Sequence, residues 1–133
     1  MTIARSVPLI YVDDMLASLV FWRDKLGYEL LRAWEPEGQC VWCWLARDSS
    51  AVMLQLAEPG QLEPLGDDIL LFFTCDDADA LYAELVARGV APKPPETAHY
   101  GMRQVVIVDP DGRPLCFESP VDSDWEFALT DRS

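Results

Sequence analysis

Read for its hydrophobic and polar positions, the chain states one phrase twice. An apolar run from Val7 to Val12 gives way to Asp13 and Asp14. Four apolar residues follow, Met15, Leu19, Trp22 and Leu26, spaced by 4, 3 and 4, before Gly27. That pattern predicts a strand, a helix cap and an amphipathic helix with one buried stripe. The second statement runs from Ile69 to Cys75, through Asp76 and Asp77, then Ala78, Leu81, Leu85 and Arg88 before Gly89. The Asp pairs stand 63 residues apart and the glycines 62 apart, close to half of the 133 residues.

Strand-like segments complete each phrase. In the first half they are Tyr28 to Trp34, Cys40 to Ala46 and Ala51 to Leu56, the last two joined by the polar turn Arg47-Asp48-Ser49-Ser50. In the second half a short strand is expected near Val90, then a loop with Pro92, Pro94 and Pro95, then strands over Met102 to Val108 and Arg113 to Ser119. Between those two lies Asp109-Pro110-Asp111-Gly112, a strong hairpin signal because Pro presets its own φ and Gly tolerates a positive one. Each half reads β-α-β-β-β. The expected fold class is therefore α+β: one domain over 1–133, with modules at 1–56 and 69–120, a connector at 57–68 and an acidic tail at 121–133.

One helix covers only one face of a four-stranded sheet, so the other faces must bury against the second module or another subunit. Two sheets curved toward each other would leave an apolar cleft able to take a small ligand. Trp42 and Trp44 share one face of their strand. If the turn pairs Ala46 with Ala51, Cys43 faces Leu54, and the tryptophans lie on the opposite face, read here as the one under the helix. A slip of one residue would turn them to the cleft.

Composition narrows the partners. With 23 acidic against 10 basic residues the formal net charge is −13, a field that repels phosphate backbones and disfavours nucleic acid. No apolar run approaches the roughly 20 residues of a membrane helix, and the opening MTIARSVPLI lacks the apolar segment of a signal peptide. A cytoplasmic location and no membrane partner are expected. Cys40 and Cys43 form a C-x-x-C, but on a strand residues i and i+3 point to opposite faces, so these thiols are not expected to share a metal. Cys75 and Cys116 are isolated, and four reduced thiols are expected. His99 is the one histidine. It stands in a polar loop, either as an exposed imidazole or as a general acid/base at a cavity rim.

Two long segments resemble a known family. VPLIYVDDMLASLVFWRDKLGYELL is similar to the opening of glyoxalase and bleomycin-resistance proteins, and YGMRQVVIVDPDGRPLCFESP to their closing signature. The resemblance, which extends to about Pro120, implies two βαβββ modules around a cavity, in the manner of the glyoxalase/bleomycin-resistance/dioxygenase superfamily. In its metal-dependent enzymes four strands each supply a ligand to one divalent ion. Those positions fall here on Val7, near Leu54 with Gln55 one place off, near Leu70, and on Cys116. None is His, Glu or Asp, and a divalent ion needs about three nitrogen, oxygen or thiolate ligands.

The resemblance therefore implies a metal-free binding protein of bleomycin-resistance type, with no cofactor and no catalytic set, acting as a homodimer. Its ligand would be an aromatic, cationic drug or metabolite drawn by the acidic field and held by stacking. The expected walls are Val7, Leu9, Leu54, Leu70, Phe72 and Cys116, with Tyr100, Met102 and Glu118 at or near the mouth. The alternative is a glyoxalase-type lyase or isomerase, or a ring-cleaving dioxygenase, with atypical ligands or none.

Overall fold

The computed structural model describes residues 1–63 and 69–129. Residues 64–68 of the expected connector and 130–133 of the expected tail lie outside them. The backbone divides into two compact units, Ile3–Leu65 and Gly66–Ser133 with Met1–Thr2, and each repeats the same plan.

In the first unit β1 (Leu9–Val12) leads into α1 (Met15–Leu19), a π-helical stretch (Val20–Lys25), β2 (Glu29–Trp34), β3 (Trp42–Arg47) and β4 (Ser50–Leu56). The sheet order is β1-β4-β3-β2, with β1 parallel to β4 and the other pairs antiparallel. In the second unit β5 (Leu71–Thr74), α2 (Ala78–Ala87), β6 (Glu96–Thr97), β7 (Met102–Val108) and β8 (Pro114–Pro120) form the order β5-β8-β7-β6. A 3₁₀ segment, Ser123–Leu129, follows. Two mixed four-stranded sheets with few helices make this an α+β protein, as expected.

The duplication reaches single atoms. Asp14 Oδ1 accepts from Ala17 N and Asp77 Oδ1 from Ala80 N, both at 3.0 Å, so each Asp pair supplies an N-cap at its second member. Gly27 and Gly89 take φ of +73° and +84° just past their helices, the left-handed turn that ends a helix at low cost when no Cβ is present.

The first helix departs from the expected regular period. Leu26 N bonds to Phe21 O, five residues back, at 3.0 Å. Two neighbours in that wider turn, Phe21 and Trp22, are both buried. Trp22 meets Tyr28 edge to face at 5.0 Å. The strand expected near Val90 is absent from its place. The last strand to join the second sheet is β6, inside the segment read as a proline loop, where Glu96 and Thr97 pair with Gln104 and Arg103. Residues 121–129 are not a plain tail either, since Trp125 Nε1 donates to Tyr100 O at 2.7 Å.

The β3–β4 hairpin has Ala46 opposite Ala51 and Cys43 opposite Leu54, the first of the two registers left open. The faces, however, are reversed. Cys43, Leu45, Val52, Leu54, Ile10 and Val12 are buried, on the side that receives Met15, Phe21 and Trp22. Trp42, Trp44, Met53, Gln55, Leu9 and Tyr11 therefore share the helix-free side, where none of them is fully buried. Cys40 lies outside β3, so strand alternation does not separate it from Cys43, and its thiol donates to Trp42 O at 3.3 Å. All four cysteines are free.

Candidate functional site

The two faces of the second sheet are told apart by their ties to α2. Ser119 Oγ accepts from Ala78 N at 2.9 Å, and Arg103 pairs with Asp79 at 3.1 Å. Both belong to the helix side, with Val105, Ile107, Leu115 and Phe117. Strand alternation then puts Gln104, Val106, Cys116, Glu118, Phe72 and Thr74 on the opposite, helix-free face. Register joins them: Phe72 sits opposite Cys116, Cys116 opposite Val106, and Glu118 between Thr74 and Gln104.

Glu118 is the polar centre of that face. It is 8% exposed, and its Oε1 accepts from Tyr100 Oη at 3.0 Å and from Gln104 Nε2 at 2.8 Å. Gln104 Nε2 also donates to Tyr100 Oη at 2.6 Å, closing a triangle. Partial burial, followed by the bond and charge of Glu118, raises the Tyr100 phenol above its ordinary pKa of 10.0, so Tyr100 stays a donor at neutral pH. Tyr100 is fixed from behind. Trp125 holds its carbonyl, Val121 N donates to Gly101 O at 3.1 Å, and Gly101 carries the chain through a φ of +91°. His99, exposed, lies edge to face against Tyr100 at 5.4 Å.

Of the expected site residues, Phe72, Cys116, Glu118 and Tyr100 come together here. Phe72 is 51% and Tyr100 39% exposed. Leu70, also exposed, precedes β5 and keeps the parity of Phe72. Met102 is corrected: at 2% exposure it is packing, not a mouth residue, at the end of β7 and β8 away from their turn, where it pairs with Pro120. In the first unit Leu9 is on the helix-free face and Val7, half-buried, lies just ahead of β1. Leu54 is corrected as well. It is fully buried opposite Cys43 and Ile10 on the helix side, and its neighbour Gln55 occupies the helix-free face. A one-residue step on a strand reverses the face.

Two residue sets were missed. Register lines up Trp34, Trp42, Gln55 and Tyr11 across the four strands of the first sheet, and beside them Arg32, Trp44, Met53 and Leu9. The signal was the i, i+2 spacing of Trp42 and Trp44, which marks a shared face without saying which. Gln104 and Trp125 had no local signal, since each matters through partners 14 and 25 residues away.

A divalent ion does not fit these residues. Val7, Leu54 and Leu70 have no ligating side-chain atoms, and Gln55 offers a neutral amide. Burial, then Glu118 and Cys75, push the Cys116 thiol up to about 11, leaving it protonated at neutral pH and a poor ligand. Among the described residues no three His, Cys, Asp or Glu side chains converge on a common point. No helix among them is long and apolar enough to cross a membrane.

The family model described as Glyoxalase/Bleomycin resistance protein/Dioxygenase superfamily matches residues 3–117. The chain belongs to that superfamily. Solved structures agree on the fold. TnmS3, an antibiotic binding protein from Streptomyces sp. CB03234, is 29% identical with a TM-score of 0.66, covering 90% of this chain and 98% of that one. A bleomycin resistance determinant encoded on the transposon Tn5 is 21% identical, with a TM-score of 0.71 over 87% of this chain and 97% of its own. A superfamily protein from Nocardioides is 20% identical, with a TM-score of 0.71 over 92% and 88%. At about one residue in five, the last two establish the fold alone. A search of curated protein sequences found no match.

Proposed function

We propose that this superfamily member is a metal-free small-molecule-binding protein of the bleomycin-resistance type, sequestering an aromatic, cationic drug or metabolite without chemical change. One observation carries the reading: the helix-free faces bear aromatic rings and one buried carboxylate. Trp34, Trp42, Trp44 and Tyr11 offer stacking surface on the first sheet, and Phe72 and Tyr100 flank Glu118 on the second. Aromatic faces attract cations, and a carboxylate of low exposure gains most from a positive partner. The net charge of −13 adds long-range attraction that raises the association rate and weakens with salt. Likeness to an antibiotic binding protein at 29% identity supports a small-molecule ligand.

The test is calorimetric titration of matched cationic, neutral and anionic aromatic compounds, bleomycin among them, at low and high salt. Cationic members are expected to bind most tightly, with an advantage that shrinks as salt is added. Equal or tighter binding of anionic members would reject sequestration of a cation and favour an enzyme acting on an anionic metabolite. The reading also includes a cytoplasmic homodimer. Light scattering at micromolar concentration is expected to give twice the 15.0 kDa chain mass, and a monomer mass would remove that part.

A further inference from the structure

The triangle on the second sheet has a chemical polarity. Gln104 Nε2 places its amide hydrogens on Glu118 Oε1 and Tyr100 Oη, and Tyr100 places its single hydroxyl hydrogen on Glu118 Oε1. Every side-chain donor of the three residues is therefore engaged inside the group. Acceptors are left over: Glu118 Oε2 and the amide oxygen of Gln104 meet no donor among the described residues. Nor is a described basic side chain paired with Glu118. Arg103 is turned to Asp79 on the helix side, and Arg113 is held by Asp109 at 2.6 Å. A carboxylate at 8% exposure with an open oxygen and no counter-charge is costly unless something outside the group donates to it.

We infer that this face is an acceptor-only anchor for a planar cation carrying several N–H groups, of the amidinium or guanidinium class, with Glu118 Oε2 as its principal acceptor. The inference rests on the ligand-binding reading above and narrows its ligand. A planar amidinium directs two N–H bonds in one plane and so matches a carboxylate edge, whereas a quaternary ammonium brings the same charge with no hydrogen to donate. Phe72 and Tyr100 supply apolar surface for the ring that bears the cation. Trp125 is a positioning residue. Its indole N–H fixes the Tyr100 carbonyl, and with it the phenol that occupies Glu118 Oε1 and leaves Oε2 for the ligand.

The test uses the full chain and three benzene-ring probes of similar size: benzamidine, phenyltrimethylammonium and benzamide, followed by amide chemical-shift titration in ¹⁵N-labelled protein. Benzamidine is expected to bind at least about tenfold more tightly than either of the others, the margin of a charge-assisted paired hydrogen bond, with shifts centred on Phe72, Gln104 and Glu118. Glu118→Gln is expected to remove that margin. Trp125→Phe, which keeps a ring and deletes the N–H, is expected to reduce the benzamidine-to-benzamide ratio several-fold while leaving benzamide unchanged. The probe series on the unaltered protein decides the matter even where a variant folds poorly. Equal binding of benzamidine and phenyltrimethylammonium would overturn the N–H requirement and leave cation binding standing. Benzamide binding as tightly as both would overturn recognition by Glu118 altogether. Shifts at Trp42 and Trp44 alone would overturn the anchor on this face while keeping the broader reading.

Discussion

The two units share a scaffold and differ in what they put on it. Both cap the helix with the second Asp of a pair, both end it at a left-handed glycine, and both pair the first strand in parallel with the last. On the helix-free side the likeness stops. The first sheet presents tryptophans, a tyrosine and a methionine, while the second presents a carboxylate in a closed triangle with an amide and a phenol. The contrast has a physical cause. Positions under a helix are packed against it and so are mostly apolar in both units, whereas the other face has no helix of its own unit to match.

The largest effect is expected under the first helix. Trp22→Ala removes a ring that is 1% exposed and packed edge to face on Tyr28, and it is expected to cost about 3–5 kcal/mol in chemical denaturation. Leu85→Ala, its counterpart on the buried face of α2, falls in the about 2–5 kcal/mol range for a buried leucine. A loss below about 1 kcal/mol for Trp22→Ala would show that the π-helical turn does not depend on burying two adjacent aromatics.

The hairpins sharpen the comparison next. Asp109 is buried and accepts from Asp111 N and Arg113 N through Oδ1 and from Arg113 Nη1 through Oδ2, so Asp109→Ala is expected to cost about 2–3 kcal/mol. The β3–β4 turn instead places Asp48 at φ +53°. Gly112 stands at φ +84°, and a Cβ added there would meet nothing within 4 Å. Gly112→Ala therefore carries only the backbone cost, about 1–2 kcal/mol. Asp48→Gly is expected to move the other way by a few tenths of a kcal/mol. Ligand binding that vanished in Gly112→Ala at unchanged stability would give this turn a functional rather than a structural role.

The caps test equivalence. Asp14→Ala and Asp77→Ala are each expected to cost about 1 kcal/mol, and a difference beyond that would mean that the short α1 and the longer α2 depend unequally on their caps. The smallest effect at accessible pH comes from the thiols. Burial first, then Cys40, pushes Cys43 up to about 12, and burial with Glu118 and Cys75 pushes Cys116 up to about 11, from the ordinary 9.0. An acid with a raised folded pKa contributes its full stabilisation below the unfolded value and loses it as pH climbs through the folded one. Thermal midpoints are thus expected to decline above pH 9, and less so in a Cys43→Ala, Cys116→Ala double variant than in the unaltered chain.

Periodicity, the two Asp pairs and the Asp-Pro-Asp-Gly turn were enough to read the duplicated βαβββ plan and the strand order within each hairpin. Those features are local, written within a few residues of where they act. Which face of β3 and β4 receives the helix was not local. Alternation sorts residues into two sets, and only the packed positions of Met15, Phe21 and Trp22 show that Cys43 and Leu54 are the covered set and Trp42, Trp44 and Gln55 the open one. The Glu118 triangle and its support from Trp125 were likewise decided by the tertiary structure. A hydrogen bond between strands, or between a strand and a later turn, depends on register and chain path, and those are settled by the burial of the whole unit rather than by any one segment.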